Sequence, residues 1–209
     1  DADKDDYDRA VFYFEMNRFK EAAYFAQLAY KSNPQRAEVL DLLGVLAMHA
    51  DQLDVALDCV RGAISIASDE PMFHTHLGMV LQMMNDINGA VSAFNRARHL
   101  APEDPVVLIN YGASLRLQGD HRSALGVFES LIEQGVSGGA IGLNLGLIYE
   151  SLGHKAKATQ TFEEAIKEAP DAVHLRQSYA DFLTRNEAED AAEAQLKIIE
   201  RLTRGHHSM

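Results

Sequence analysis

The stretch "NYGASLRLQGDHRSALGVF", residues 110–128, carries small residues where a buried helix usually carries bulky ones. Gly112 lies in one apolar run, Ala124 lies in the next, and Gly119 and Asp120 separate the two runs. Because the break is so short, the chain must reverse its direction within a few residues. The stretch therefore predicts two helices that cross closely, with small side chains at the point of contact.

The same pattern recurs every 34 residues along the chain. Steps of this length from Ala124 always reach an alanine, and steps from Gly112 reach glycine or alanine. The two series are Ala22, Ala56, Ala90, Ala124, Ala158 and Ala192, and Ala10, Gly44, Gly78, Gly112, Gly146 and Ala180. Each copy also carries two apolar stripes of helical spacing. The sequence therefore predicts an all-α fold made of six helix pairs.

The break inside each pair calls for a residue that tolerates the left-handed backbone conformation. The residues at this point are Asn17, Asp51, Asn85, Gly119, Gly153 and Glu187. Five of them tolerate this conformation well, and only Glu187 departs from the pattern. Prolines at 34, 102 and 170 are placed to end the second helix of alternate copies.

This arrangement of small and large residues resembles the tetratricopeptide repeat family over nearly the whole chain. The resemblance implies a right-handed superhelical solenoid of six antiparallel helix pairs, whose first helices line a concave groove. Residues 1–209 are then a single array. Its repeats are expected at approximately 3–36, 37–70, 71–104, 105–138, 139–172 and 173–206.

The chain has a formal net charge of −12 and a pI near 5.1. Binding to a polyanion needs a basic surface, so we expect no nucleic acid partner. No apolar run is long enough to span a bilayer, and we expect no direct membrane insertion. The start "DADKDDYD" shows no signal peptide and no initiator Met, and we expect an upstream segment that is either processed or left out. A soluble protein is expected, and its compartment, cytoplasmic or periplasmic, stays open.

Motifs of catalysis and metal binding are weak or missing. The sequence "GVSGG" matches G-x-S-x-G around Ser137, but a helical pattern precedes it where the nucleophile elbow needs a strand. His74 and His76 are two residues apart on a helix and point to different faces, whereas His49 and His76 come from adjacent copies. His206 and His207 lie in a terminal tail. We expect no enzyme, no cofactor and no metal site.

The family geometry predicts a partner-binding groove with an acidic end and a largely apolar middle that carries methionines. Its predicted residues are Asp8, Asp41, Val45, Met48, Met72, His76, Met79, Ile109, Asn110, Arg116, Leu143, Asn144 and Leu147. Asn110 and Asn144 share one register, and either they grip the backbone of an extended ligand or they bond to each other or to water. The apolar residues either face a ligand or pack between adjacent first helices. The basic clamp of co-chaperone members is missing around Asn144.

These features predict a scaffold or adaptor that binds a peptide or helical segment with basic and apolar residues. The alternatives are a structural assembly subunit of a pilus, envelope or other complex, and the targeting module of a larger protein. The charged last copy is either a polar cap or, through Ile198, Ile199 and Leu202, a homodimer surface of the C-terminal helix. At the connection between the fourth and fifth copies, either Leu131 fills the space that the missing side chain of Gly142 leaves, or the connection is a hinge.

Overall fold

The computed structural model describes residues 2–205, and over this range the chain forms twelve helices and no strand. The helices are α1 Ala2–Glu15, α2 Phe19–Ser32, α3 Ala37–His49, α4 Leu53–Ile66, α5 Pro71–Met83, α6 Ile87–Leu100, α7 Pro105–Gln118, α8 His121–Glu133, α9 Gly139–Ser151, α10 Lys155–Glu168, α11 Val173–Arg185 and α12 Glu189–Gly205. None of these helices combines the length and the apolar character needed to cross a bilayer. The predicted all-α class and the six helix pairs are confirmed.

The turn inside each helix pair is made in the same way. One residue in the turn after the first helix has a positive φ in all six copies: 56° at Asn17, 57° at Asp51, 63° at Asn85, 93° at Gly119, 79° at Gly153 and 62° at Glu187. The following backbone N–H then donates to a carbonyl five residues back, as from Arg18 to Tyr13 O at 2.9 Å. The predicted register is confirmed, and Glu187 adopts the conformation although its side chain makes it costly.

The chain divides into two compact units, residues 1–114 and 115–209, and the division falls inside α7. Unit 1 contains the close crossings α3–α4 and α5–α6. A Cβ on Gly44 would lie 2.6 Å from Cγ2 of Val60, and one on Gly78 would lie 2.7 Å from the ring of Phe94. The alanines of the repeat in this unit are fully buried. Glycine is therefore required at these two crossings, whereas the equivalent position of α1 holds Ala10.

Unit 2 repeats this crossing between α9 and α10. A Cβ on Gly146 would lie 2.7 Å from Cζ of Phe162, which is fully buried. The Phe162 ring is in turn flanked by Tyr179 and Phe182, with centroid distances of 5.3 and 5.5 Å. The aromatic residues of α10 and α11 thus fill the space around a contact that only glycine permits.

The connection from α8 to α9 differs from the others. A positive φ of 79° at Gly135 ends α8, and Gly138 has a φ of 137°. Leu131 is fully buried, but a cleft of about 410 Å³ remains beside Gly142. The cleft decides neither for filling by Leu131 nor for a hinge at this connection, so both stay predictions. A Cβ on Gly142 would lie 2.3 Å from Cβ of Ala165, so the absence of a side chain lets α9 approach α10 closely.

The last copy is rich in charged residues, but one of their side chains is buried. Arg176, a charged residue of this copy, is 8% exposed. Its Nε donates to Pro170 O and its Nη1 donates to Gln195 Oε1, both at 2.7 Å. Burial of this guanidinium is tolerated because both bonds replace water. Ile198, Ile199 and Leu202 are half-buried, and His206 and His207 lie outside the described residues.

Candidate functional site

The thirteen predicted groove residues differ in how much of their side chain reaches solvent. Asp8, Met72 and Met79 are exposed; Val45, His76, Ile109, Asn110, Arg116, Leu143 and Leu147 are half-buried; Asp41, Met48 and Asn144 are buried. Met48 is 7% exposed and belongs to the core cluster that also contains Val60 and Val80. It therefore offers almost no surface to a partner.

Three first helices of unit 1 form a cleft of about 250 Å³. Its lining residues come from α1, α3 and α5: Tyr7, Phe14, Glu38, Asp41, Leu42, Val45, Phe73 and His76. The cleft brings together three of the predicted residues, Asp41, Val45 and His76. It also contains Tyr7, which the sequence analysis did not single out.

A hydrogen bond joins neighbouring first helices at this cleft. Nδ1 of His76 on α5 donates to Oδ1 and Oδ2 of Asp41 on α3, at 2.8 and 2.9 Å. The two residues are 35 positions apart, which is one repeat plus one residue. The same spacing joins Arg185 to Glu150 in unit 2, where Nε and Nη2 donate to the carboxylate at 2.8 and 2.9 Å. A basic residue at i+35 from an acid was therefore a usable signal in the sequence.

The electrostatics of the unit 1 cleft are dominated by carboxylates. Burial raises the pKa of Tyr7, and the negative charge of Glu38 raises it further. Arg36 opposes this shift, since its guanidinium lies 4.1 Å from the ring centroid of Tyr7 and 3.7 Å from Glu38. The phenol therefore stays protonated and able to donate a hydrogen bond at neutral pH.

The exposed face of α5 is built from methionines. Met72, Met79 and Met83 are 37, 38 and 49% exposed, and their spacing puts them with His76 on one side of the helix. Met83 was missed in the sequence analysis, although it follows Met79 at i+4. Methionine side chains adapt their shape to varied apolar partners. Met72, Met79 and Met83 together form the α5 methionine face.

The polar residues of the groove in unit 2 bond to each other. Nε of Arg116 donates to Oδ1 of Asn144 at 2.9 Å, and Nδ2 of Asn144 donates to Ala140 O at 2.9 Å. Burial lowers the pKa of Arg116. Both ends of the Asn144 amide are thus occupied within the protein, whereas Asn110 uses only its Nδ2, toward Val106 O, among the bonds described for it. The two asparagines therefore differ in what they leave for a ligand.

The apolar groove residues of unit 2 have structural contacts. Leu143 and Leu147 pack against the cluster that contains Phe162, Leu175 and Tyr179. Val45 in unit 1 packs in the same way beside Val60 and Val80. Packing between neighbouring helices explains why these three residues are apolar. It does not explain the solvent-facing methionines.

Two histidines of unit 1, His49 and His74, have close contacts within the protein. The ring of His49 stacks on Phe19 at 4.3 Å and meets Phe14 edge-on at 5.7 Å. His74 bonds through Nε2 to Ser68 O at 2.9 Å. Over residues 2–205 no group of three or more His, Cys, Asp or Glu side chains is placed to hold an ion.

These observations define a class: a chain of tandem helix pairs that cross at glycine or alanine and turn through a left-handed residue. The sequence profile of the tetratricopeptide repeat matches residues 1–204. The chain belongs to the tetratricopeptide repeat family. This family and fold are those of protein–protein interaction scaffolds and are typically non-catalytic.

Several solved structures share the fold. A tetratricopeptide repeat protein from Parabacteroides merdae aligns with a TM-score of 0.80 and 16% identity, over 96% of this chain and 79% of that one. The type IV pilus biogenesis factor PilW aligns with a TM-score of 0.80 and 19% identity, over 93% of this chain and 92% of that one. The pilF protein of Pseudomonas aeruginosa aligns with a TM-score of 0.78 and 16% identity, over 98% of this chain and 93% of that one. No protein with a curated description matches the sequence.

Proposed function

We propose that this protein is an adaptor that holds a segment of a protein partner against the first-helix face of unit 1. The observation that carries the proposal is the α5 methionine face, where Met72, Met79 and Met83 stay exposed. An exposed row of large apolar side chains is unfavourable in water and is typical of binding surfaces. The partner segment is a peptide or a helix, because either one can lay apolar side chains along such a row.

The charge beside this face favours basic residues in the partner. The cleft contains Glu38 and Asp41, Asp8 is exposed on α1, and the whole chain carries −12. The carboxylate of Asp41 is already engaged by His76 and that of Glu38 lies 3.7 Å from Nε of Arg36, so Asp8 is the most open of the three to a partner. Complementary charge speeds the encounter and fixes the orientation of the bound segment more than it adds affinity.

The test compares partner capture by Met79→Asp with capture by the unaltered chain, using chemical crosslinking and mass spectrometry in the source cells. A charge in the apolar face should abolish capture. Met16→Asp is the matched control, because Met16 is 57% exposed in the turn between α1 and α2, outside the α5 methionine face. Leu147→Asp is unsuitable, since Leu147 packs against a buried cluster and the variant would unfold. Equal capture by Met79→Asp and the unaltered chain would remove this face from the mechanism.

A second proposal is a structural assembly subunit that works through other surfaces. Full-length likeness to PilW and to the pilF protein prompts this alternative, although at 19 and 16% identity the likeness carries the fold alone. In that case Met79→Asp leaves partner capture unchanged, and substitutions on the second helices abolish it. The repeat boundaries given above, the homodimer through α12 and the targeting-module alternative remain proposals. Sedimentation at two concentrations tests the homodimer.

A further inference from the structure

One register of the repeat has a buried polar residue in two copies and none in the fifth. Arg176 in the sixth copy bonds to the carbonyl of Pro170, and His74 in the third copy bonds to the carbonyl of Ser68. Each side chain reaches a carbonyl six residues before it and thereby closes the connection that precedes its helix. The residue at this register in the fifth copy is Gly142, which has no side chain to do so.

The cleft of about 410 Å³ in unit 2 lies beside Gly142, although Ala165 of α10 occupies the position of the missing Cβ itself. Val136, which corresponds to Pro170 and Ser68, lines this cleft. Thr161 also lines it, and it corresponds to Gln195, the second partner of Arg176. The cleft therefore has, at equivalent positions, the surroundings that hold an arginine side chain in the sixth copy.

The rest of the lining suits an arginine better than a neutral side chain. Glu164 and Glu168 place two exposed carboxylates at the cleft, while Ile132 and Leu145 provide apolar walls for an aliphatic stem. Tyr149 adds an aromatic ring. The ammonium of Lys157 lies 5.4 Å from the centroid of that ring, so a bound arginine would share the ring with this lysine or displace it.

We propose that this cleft binds an arginine side chain of a protein partner, in the place that Arg176 occupies within its own copy. The partner's guanidinium reaches the carboxylates of Glu164 and Glu168 and the polar groups of Val136 and Thr161. Its planar fork of five donors can serve several acceptors at once, which a lysine ammonium cannot do in the same geometry. The site is separate from the α5 methionine face and does not depend on the function proposed for it.

The test is an NMR titration of the nitrogen-15-labelled full chain with the blocked tripeptide acetyl-Gly-Arg-Gly-amide. The matched probe contains citrulline in place of arginine, which keeps the shape of the side chain and removes its charge. We expect saturable amide shifts within residues 132–168 and roughly fivefold weaker binding of the citrulline peptide, as for exposed charge pairs. Equal binding of the two peptides, shifts elsewhere in the chain, or no saturable shift would overturn the proposal.

A pair of variants tests the carboxylates. Glu164→Gln with Glu168→Gln should weaken the arginine peptide roughly fivefold and leave the citrulline peptide unchanged. Glu70→Gln with Glu103→Gln removes the same charge from exposed positions in unit 1 and should change neither titration. If both pairs weaken the arginine peptide equally, the net charge of the chain is responsible and the assignment to this cleft fails. Circular dichroism checks that all variants fold, and the citrulline comparison stands on the unaltered chain in any case.

Discussion

Replacing Gly146 by alanine tests the close helix crossing on which the fold depends. The new Cβ would lie 2.7 Å from Cζ of Phe162 and 2.8 Å from both Cε atoms. The ring is fully buried and is flanked by Tyr179 and Phe182, so it cannot move aside without disturbing the core of unit 2. Overpacking of this kind costs about 1–3 kcal/mol, while alanine gains about 1 kcal/mol of helix propensity.

The matched control is Gly126→Ala in α8, where no atom beyond its chain neighbours and the nearby backbone of its own helix lies within 4 Å of the added Cβ. This variant gains the propensity without the strain and should be about 1 kcal/mol more stable than the unaltered chain. Both positions lie in unit 2, so urea unfolding followed by circular dichroism compares like with like. We expect Gly146→Ala to be about 1–3 kcal/mol less stable than Gly126→Ala. Equal stabilisation by the two variants would refute the close crossing.

Three further predictions concern single side chains. Glu187→Gly should stabilise the protein to urea by about 0.5–1 kcal/mol, because glycine relieves a φ of 62°, whereas Glu200→Gly inside α12 should destabilise it by about 1 kcal/mol. Asn144→Ala should lower the free energy of unfolding by about 1–3 kcal/mol, because it removes the acceptor of half-buried Arg116. Asn110→Ala should lower it by less than about 0.5 kcal/mol. Equal losses would contradict the difference in bonding between the two asparagines. Hydrogen bonds from Ser123 lower the pKa of Asp120 at the start of α8, so the stability it contributes is complete above the ordinary aspartate pKa and declines as pH falls through the lower folded-state value. Asp120→Asn should remove that part of the acid dependence, as measured by unfolding at a series of pH values.

The fold was predictable because its determinants recur at a fixed step. Small residues at 34-residue intervals indicate close crossings, and Asn, Asp or Gly at the break indicates a left-handed turn. Glu187 shows the limit of residue type as a guide, since it takes the same conformation under the constraint of the helices on either side. The place of Glu187 in the repeat predicted its backbone conformation better than its residue type did.

The candidate site was less predictable because its contacts lie between copies. The bond between Arg116 and Asn144 spans 28 residues and does not follow from the 34-residue step, whereas the 35-residue spacing of Asp41 and His76 was a signal that could have been searched for. Met48 is buried among the residues around Val60, which a groove position in the family does not reveal. The cleft beside Gly142 depends on how far α9 moves toward α10 when a side chain is missing, and this distance is not written in the sequence.

The most direct test of the proposed function is photocrosslinking from defined positions of the third copy in the source cells. A photoreactive amino acid is placed at position 79 on the α5 methionine face or at position 96, where exposed Arg96 lies on α6. We predict that position 79 crosslinks to a partner segment carrying apolar and basic residues and that position 96 does not. Crosslinking to the partner from position 96 but not from position 79 would contradict the account.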